Sequence, residues 1–249
     1  MLTAAIGAAP GTIDAAYDVE RMYQYLDYVH VMCYDYHGKW DKKTGHNSPL
    51  RPRPSDSGDD LILNVDYTLQ YLLQLGATRK KTVLGVPLYG RAFTLVDAAV
   101  NDIGAPTKDT AFQGPFTRED GFLGYNEICV KQIQDSGAGP GWRVQWEESY
   151  SAPFMFRGDQ WLSYDNERSI QAKTEYAHDQ GLAGVMTWSI DTDDFLGVCN
   201  GPKFPLLRTI NYALYKKQTG QGSGSGVVSV NLSCLVIGLL VVVCSRKVL

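Results

Sequence analysis

Histidine is scarce, with four in 249 residues, and no two stand at a metal-binding spacing. There is no Ser-His-Asp signature and no phosphate-cradling glycine loop, which removes the usual triad hydrolases and nucleotide-binding folds as readings. Positive charge is not in excess: 23 Lys and Arg face 27 Asp and Glu, a net charge of −4. No basic surface is expected, hence no nucleic-acid partner. The five cysteines, Cys33, Cys129, Cys199, Cys234 and Cys244, match no zinc spacing, so neither a metal nor a cofactor is expected. No basic stretch followed by an apolar one opens the chain as a signal peptide does. Met1 to Ile6 reads as a buried strand that begins at once, so a fragment or a truncated gene model is expected.

What is present fits a globular protein: 44% hydrophobic residues and 11 prolines. Aromatic residues are plentiful, with 15 Tyr, 5 Trp and 8 Phe. They suit stacking on flat ligands such as sugar rings, although a core uses them too.

In chain order, Leu2 to Ile6 reads as a strand ended by Gly7, Pro10 and Gly11. Ile13 to Leu26 has helical spacing, with Asp14 or Asp18 as caps. Tyr28 to Tyr34 is a buried strand, and 41–60 a long polar loop. Leu63 to Leu75 reads as a helix stopped by Gly76, and Thr82 to Pro87 as a strand. Residues from about 93 to 165, rich in Gly, Pro and aromatics, form an inserted small subdomain. Ser169 to His178 is a helix, Gly184 to Ile190 a strand, and Pro205 to Tyr215 the last helix. Short apolar strands alternating with helices give a parallel α/β pattern, either a small open sheet or part of a barrel.

The tail differs in composition. Residues 218–226 are a Gly/Ser/Gln linker. Residues 227–244 are mostly apolar and long enough for a short transmembrane helix. Arg246 and Lys247, in the short tail 245–249, place that end in the cytoplasm and the globular part on the extracellular face of the plasma membrane, with a secreted protein as the other expectation. A lipid anchor is the alternative for this segment.

Three strands end in aromatic and polar residues: Tyr34 with Asp35, Tyr89 with Arg91, and Trp188 with Asp191. In either architecture the C-terminal strand ends carry the site. Tyr and Asp in a closed pocket can hydrogen-bond a polar substrate group, Trp40 and Trp188 can stack on sugars, and Arg91 and Glu119 add polar handles. His30, Met32 and Tyr34 share one strand face, and His30 reads as a satisfied core residue. Cys129 and Cys199 lie in the same globular part and are free to pair, whereas Cys33 reads as a buried thiol.

Six blocks carry a resemblance. They are Y-L-D-Y-V-H-V-M-C-Y-D-Y-H-G-K-W at 25–40, N-S-P-L at 47–50, L-N-V-D-Y at 63–67, G-V-P-L-Y-G-R-A-F at 85–93, G-P-F-T-R-E-D-G-F-L-G-Y-N-E-I-C at 114–129 and G-V-M-T-W-S-I-D-T-D-D-F at 184–195. In this order they resemble the C-terminal half of an animal-type chitinase of glycoside hydrolase family 18, over about residues 1–215. The resemblance implies a TIM (β/α)8 barrel, here its strands five to eight within a partial catalytic domain at 1–217, with an α+β insertion subdomain. It implies binding of chitin or chitooligosaccharides and cleavage of β-1,4 linkages with retention, the substrate's own acetamido oxygen acting as nucleophile.

By position, the resemblance implies that Tyr34 hydrogen-bonds the acetamido group and that Asp35 supports it. Trp188 forms the floor under the central sugar, with Met32 and Met186 packed around it. Tyr89, Arg91, Glu119 and Trp40 line neighbouring subsites, and Cys129 pairs with Cys199. The family's D-x-x-D-x-D-x-E motif, whose Glu protonates the leaving oxygen, is absent from the sequence. The chain by itself is therefore expected to be inactive. A non-catalytic chitinase-like lectin is the alternative, and a stable half-barrel binding protein the third.

Overall fold

The computed structural model describes residues 1–134, 141–199 and 201–219. The predicted 227–244 span lies outside the described residues. Among the described residues no helix is long and apolar enough to cross a membrane.

The chain opens with β1 (Thr3–Gly7), α1 (Pro10–Ala16), α2 (Val19–Tyr25) and β2 (Tyr28–Met32). The helix expected from Ile13 to Leu26 is thus two. Pro10, expected to end the strand, instead sits in the first turn of α1, where its missing N–H costs nothing. Asp18 interrupts the helical run because its side chain accepts a hydrogen bond from the Arg21 N–H and caps α2. Next come α3 (Val65–Gln74), capped by the Asn64 side chain, β3 (Thr82–Pro87) and β4 (Tyr89–Thr94). Then follow β5 (Phe122–Gly124), α4 (Tyr125–Gln134), β6 (Arg143–Glu147), β7 (Ala152–Arg157) and β8 (Gln160–Ser163). The last elements are α5 (Glu167–Asp179), β9 (Gly184–Trp188) and α6 (Pro205–Thr219).

Two sheets form. One is parallel, in the order β1-β2-β3-β9; the other is antiparallel, in the order β5-β4-β8-β7-β6. The antiparallel sheet starts at Tyr89, earlier than the 93 read from composition. Tyr89 and Arg91 therefore stand on its strand β4, not in an exit loop of β3.

Alternation sorts the side chains of the parallel sheet. Ile6, Val29, Val31, Leu84 and Val86 pack against Ile13, Leu69, Leu72, Ile170 and Ile210 of the helices in one core cluster. The register aligns His30 with Val83 and Gly85 with Met186, which puts His30, Met32, Gly85, Met186 and Trp188 on the opposite face. His30 is buried there, but neither ring nitrogen has a hydrogen-bond partner among the described residues. The expectation of a satisfied core histidine is corrected: the strand face supplies apolar neighbours, and burial lowers its pKa. Cys129 of α4 and Cys199, 70 residues apart, form a disulfide, and Cys33 is a buried free thiol.

Candidate functional site

A cleft of about 300 Å³ opens where the two sheets meet. It is lined by Met32, Tyr34, Asp35, Tyr89, Arg91, Glu119, Phe122 and Trp188. Seven of these carry sequence-based expectations; Phe122 carries none. Trp40 stands at the rim, 52% exposed, with the Arg91 guanidinium 5.2 Å from its ring centre. Met186 is not among the cleft-lining residues; its side chain and that of Tyr34 both reach the open side of Gly85. A Cβ on Gly85 would meet the Met186 Cε at 3.0 Å, the Tyr34 Cε1 at 3.2 Å and the Val31 carbonyl at 2.5 Å, so only glycine leaves Tyr34 its place.

Asp35 is the meeting point. It lies three residues past the end of β2 and has a φ of 60°, in the left-handed region that aspartate tolerates better than most residues. Its Oδ1 accepts from Tyr89 Oη at 2.6 Å and from Arg91 Nε at 2.8 Å. Arg91 also pairs with Glu119 at 3.6 Å and lies over the rings of Tyr89 and Phe122 at 5.3 and 5.2 Å. Burial works against its charge, but the Asp35 bond and charge more than offset this and raise its pKa. Tyr89 and Phe122 stack at 4.4 Å, and Tyr34 meets Tyr89 edge-on at 5.9 Å.

Tyr34 is 8% exposed, and its hydroxyl has no hydrogen-bond partner among the described residues. Burial first, then the Asp35 charge, raises its pKa, and the same two causes raise that of Tyr89. Both stay neutral O–H groups at physiological pH. Trp188 is 43% exposed on the edge strand β9, and its peptide bond to Ser189 is cis. The arrangement offers an aromatic platform, a neutral donor and a fixed carboxylate–guanidinium pair. It can hold a polar, ring-shaped ligand.

Two supporting residues carried no expectation. Asn47 binds the backbone of both Asp35 and Tyr89. Glu127 is buried and accepts from Phe116 N–H at 2.6 Å, Thr117 N–H at 3.0 Å, Thr117 Oγ1 at 2.8 Å and Gly124 N–H at 2.9 Å. That fixes the loop bearing Glu119. Both lie inside quoted blocks, but their role is backbone-directed and has no residue-type signature. Among the described residues, Cys129, Asp194 and Cys199 group as metal-ligand types. The sulfurs are tied in the disulfide, and Asp194 accepts from the N–H groups of Gly197, Val198 and Cys199.

The family model "Glycosyl hydrolases family 18" matches residues 1–193. "Probable chitinase 2" of Drosophila melanogaster is 44% identical over 240 residues, covering 86% of this chain and 47% of the relative. The solved Ostrinia furnacalis group IV chitinase in complex with allosamidin has a TM-score of 0.82 at 42% identity, over 87% of this chain and 57% of that one. Human YKL-39, described as a pseudo-chitinase with retained chitooligosaccharide binding, has a TM-score of 0.80 at 35% identity, over 86% of this chain and 58% of that one. The chain spans about half the length of these proteins, and its architecture is TIM-barrel-like α/β.

Proposed function

The chain belongs to the glycosyl hydrolases of family 18, and from that premise we propose that its cleft binds chitin or chitooligosaccharides. The observation that carries this is the Tyr34 hydroxyl, buried without a hydrogen-bond partner among the described residues on a side chain that lines the cleft beside Asp35. An unpaired buried donor is costly, and an acetamido carbonyl would satisfy it. Trp188 supplies the stacking surface. On this reading β1, β2, β3 and β9 correspond to barrel strands five to eight, and a longer protein hydrolyses β-1,4 linkages by substrate-assisted retention. The residues present bind and orient the sugar, and the proton comes from a D-x-x-D-x-D-x-E motif that these 249 residues do not contain.

Titration of the full chain with chitopentaose in a calorimeter tests the binding. Saturable heat with one site is expected, and no heat with millimolar sugar refutes it. A second reading, a non-catalytic lectin, is favoured by the likeness to YKL-39. A longer transcript that encodes the motif with its Glu replaced establishes the lectin; an intact motif removes it. The 227–244 segment is proposed to anchor the domain on the outer face of the plasma membrane. Protease shaving of intact cells that leaves the domain attached would refute that placement.

A further inference from the structure

Resting on the sugar-binding reading of the cleft, we infer that Asn47 is the positioning residue that sets the Asp35 carboxylate against Tyr89 and Arg91. Asn47 is fully buried, and its four polar atoms are all engaged. Its Oδ1 accepts from the Asp35 N–H at 2.9 Å, and its Nδ2 donates to the Tyr89 carbonyl at 3.2 Å. Its backbone N–H donates to Ser163 Oγ at 3.0 Å, and its carbonyl accepts from the Tyr36 N–H at 3.2 Å. One amide side chain thus fixes the backbones of the two residues whose side chains then meet at 2.6 Å.

The chemistry requires an amide. The position needs an acceptor facing an N–H and a donor facing a carbonyl, and a carboxylate supplies acceptors alone. Asp35 needs holding because its φ of 60° lies outside the regions most residues prefer. Its N–H lies beyond the paired part of β2, and Asn47 receives it. Asn47 is anchored in turn through its neighbour. His46 Nε2 donates to the carbonyls of Pro153 and Tyr164, each at 3.1 Å, while its Nδ1 accepts from the Ser48 N–H at 3.0 Å. The segment is bolted to the antiparallel sheet on one side and to the exit of β2 on the other. Without the Asn47 amide, Asp35 relaxes toward an extended backbone and its carboxylate leaves Tyr89 and Arg91. Asn47 acts through Asp35 and does not itself line the cleft.

Amide hydrogen exchange at Asp35 and chitopentaose affinity of the full chain test this, with Asn47→Ala alone and crossed with Asp35→Gly, which accepts the φ but lacks the carboxylate. Asn47→Ala is expected to speed Asp35 exchange by about tenfold or more while β3 amides stay protected. Affinity should fall by about tenfold, with no further fall in the Asp35→Gly background. Unchanged Asp35 protection, or losses that multiply in the double variant, overturns the inference. If Asn47→Ala does not fold, Asn47→Asp carries the test. It keeps the acceptor and sets an oxygen against the Tyr89 carbonyl, so Asp35 stays protected while affinity drops; native affinity overturns the inference. If Asp35→Gly binds chitopentaose as tightly as the native chain, the sugar reading fails, and the exchange result still decides the positioning.

Discussion

Tyr34→Phe should move stability and affinity in opposite directions. The substitution removes one oxygen from a side chain that is 8% exposed and otherwise well packed, edge-on to Tyr89. Among the described residues that hydroxyl is buried without a partner, a state that costs about 1–3 kcal/mol relative to a paired or solvated group. A net gain of about 1 kcal/mol, the low end of that range, is expected for the phenylalanine. For a chain of this size that gain raises Tm by about 2–4 °C. On binding, the native hydroxyl exchanges an unsatisfied state for a hydrogen bond to the acetamido carbonyl, and the variant cannot. The loss is about 1–2 kcal/mol, or roughly 5- to 30-fold in Kd. Scanning calorimetry and chitopentaose titration on the same preparation read both quantities. A lower Tm with unchanged affinity refutes the reasoning, because the hydroxyl would then be a structural group and not one held ready for a ligand.

Three further outcomes are expected. Trp188→Ala weakens chitopentaose binding by about tenfold through loss of the stacking platform, with little change in Tm because the ring is 43% exposed; titration calorimetry checks it. Lys173→Met leaves Asp165, paired at 2.5 Å with both side chains fully buried, without its cation, and costs about 3–5 kcal/mol in urea unfolding. His46, fully buried, has its pKa lowered from 6.5 to about 4 by burial. Because the folded value lies below the unfolded one, its contribution is complete above about pH 6.5 and is lost as pH falls toward 4. The loss is about 3 kcal/mol, and His46→Gln should flatten that part of the stability–pH curve measured by urea unfolding.

The parallel strands were legible because each is short, apolar and bounded by breakers, and Thr82–Pro87 was read to the residue. The break between α1 and α2 was missed, since hydrophobic spacing runs on across Tyr17 and Asp18 while the capping carboxylate acts locally. Among the candidate site residues, those with ring or charge chemistry at strand ends stood out, and the structure gathers Tyr34, Asp35, Tyr89, Arg91 and Trp188 in one cleft. Phe122 did not stand out: its place depends on the antiparallel pairing of Arg91 with Phe122, a tertiary register without a local signal. Asn47 and Glu127 escaped for a related reason. Both work by satisfying backbone groups, and an Asn or Glu in a loop looks the same in sequence whether solvated or buried.

The cleft divides its surfaces between the sheets. The parallel sheet gives Met32 and Trp188, the antiparallel sheet gives Tyr89, Arg91 and Phe122, and Asp35 joins them. Such a joint holds only if the sheets keep one relative position, and a single residue, Leu88, links β3 to β4. Its N–H donates to the Trp188 carbonyl at 2.8 Å, and its carbonyl accepts from the Tyr125 N–H at 3.0 Å, so both its polar groups are locked. Asn47 adds a second bridge from the Asp35 backbone to the Tyr89 backbone. The walls are therefore preformed, and a ligand spends little of its binding energy on ordering them. Differences in affinity among sugars should then follow the side chains that touch each ring, with the backbone of the free and bound protein nearly the same.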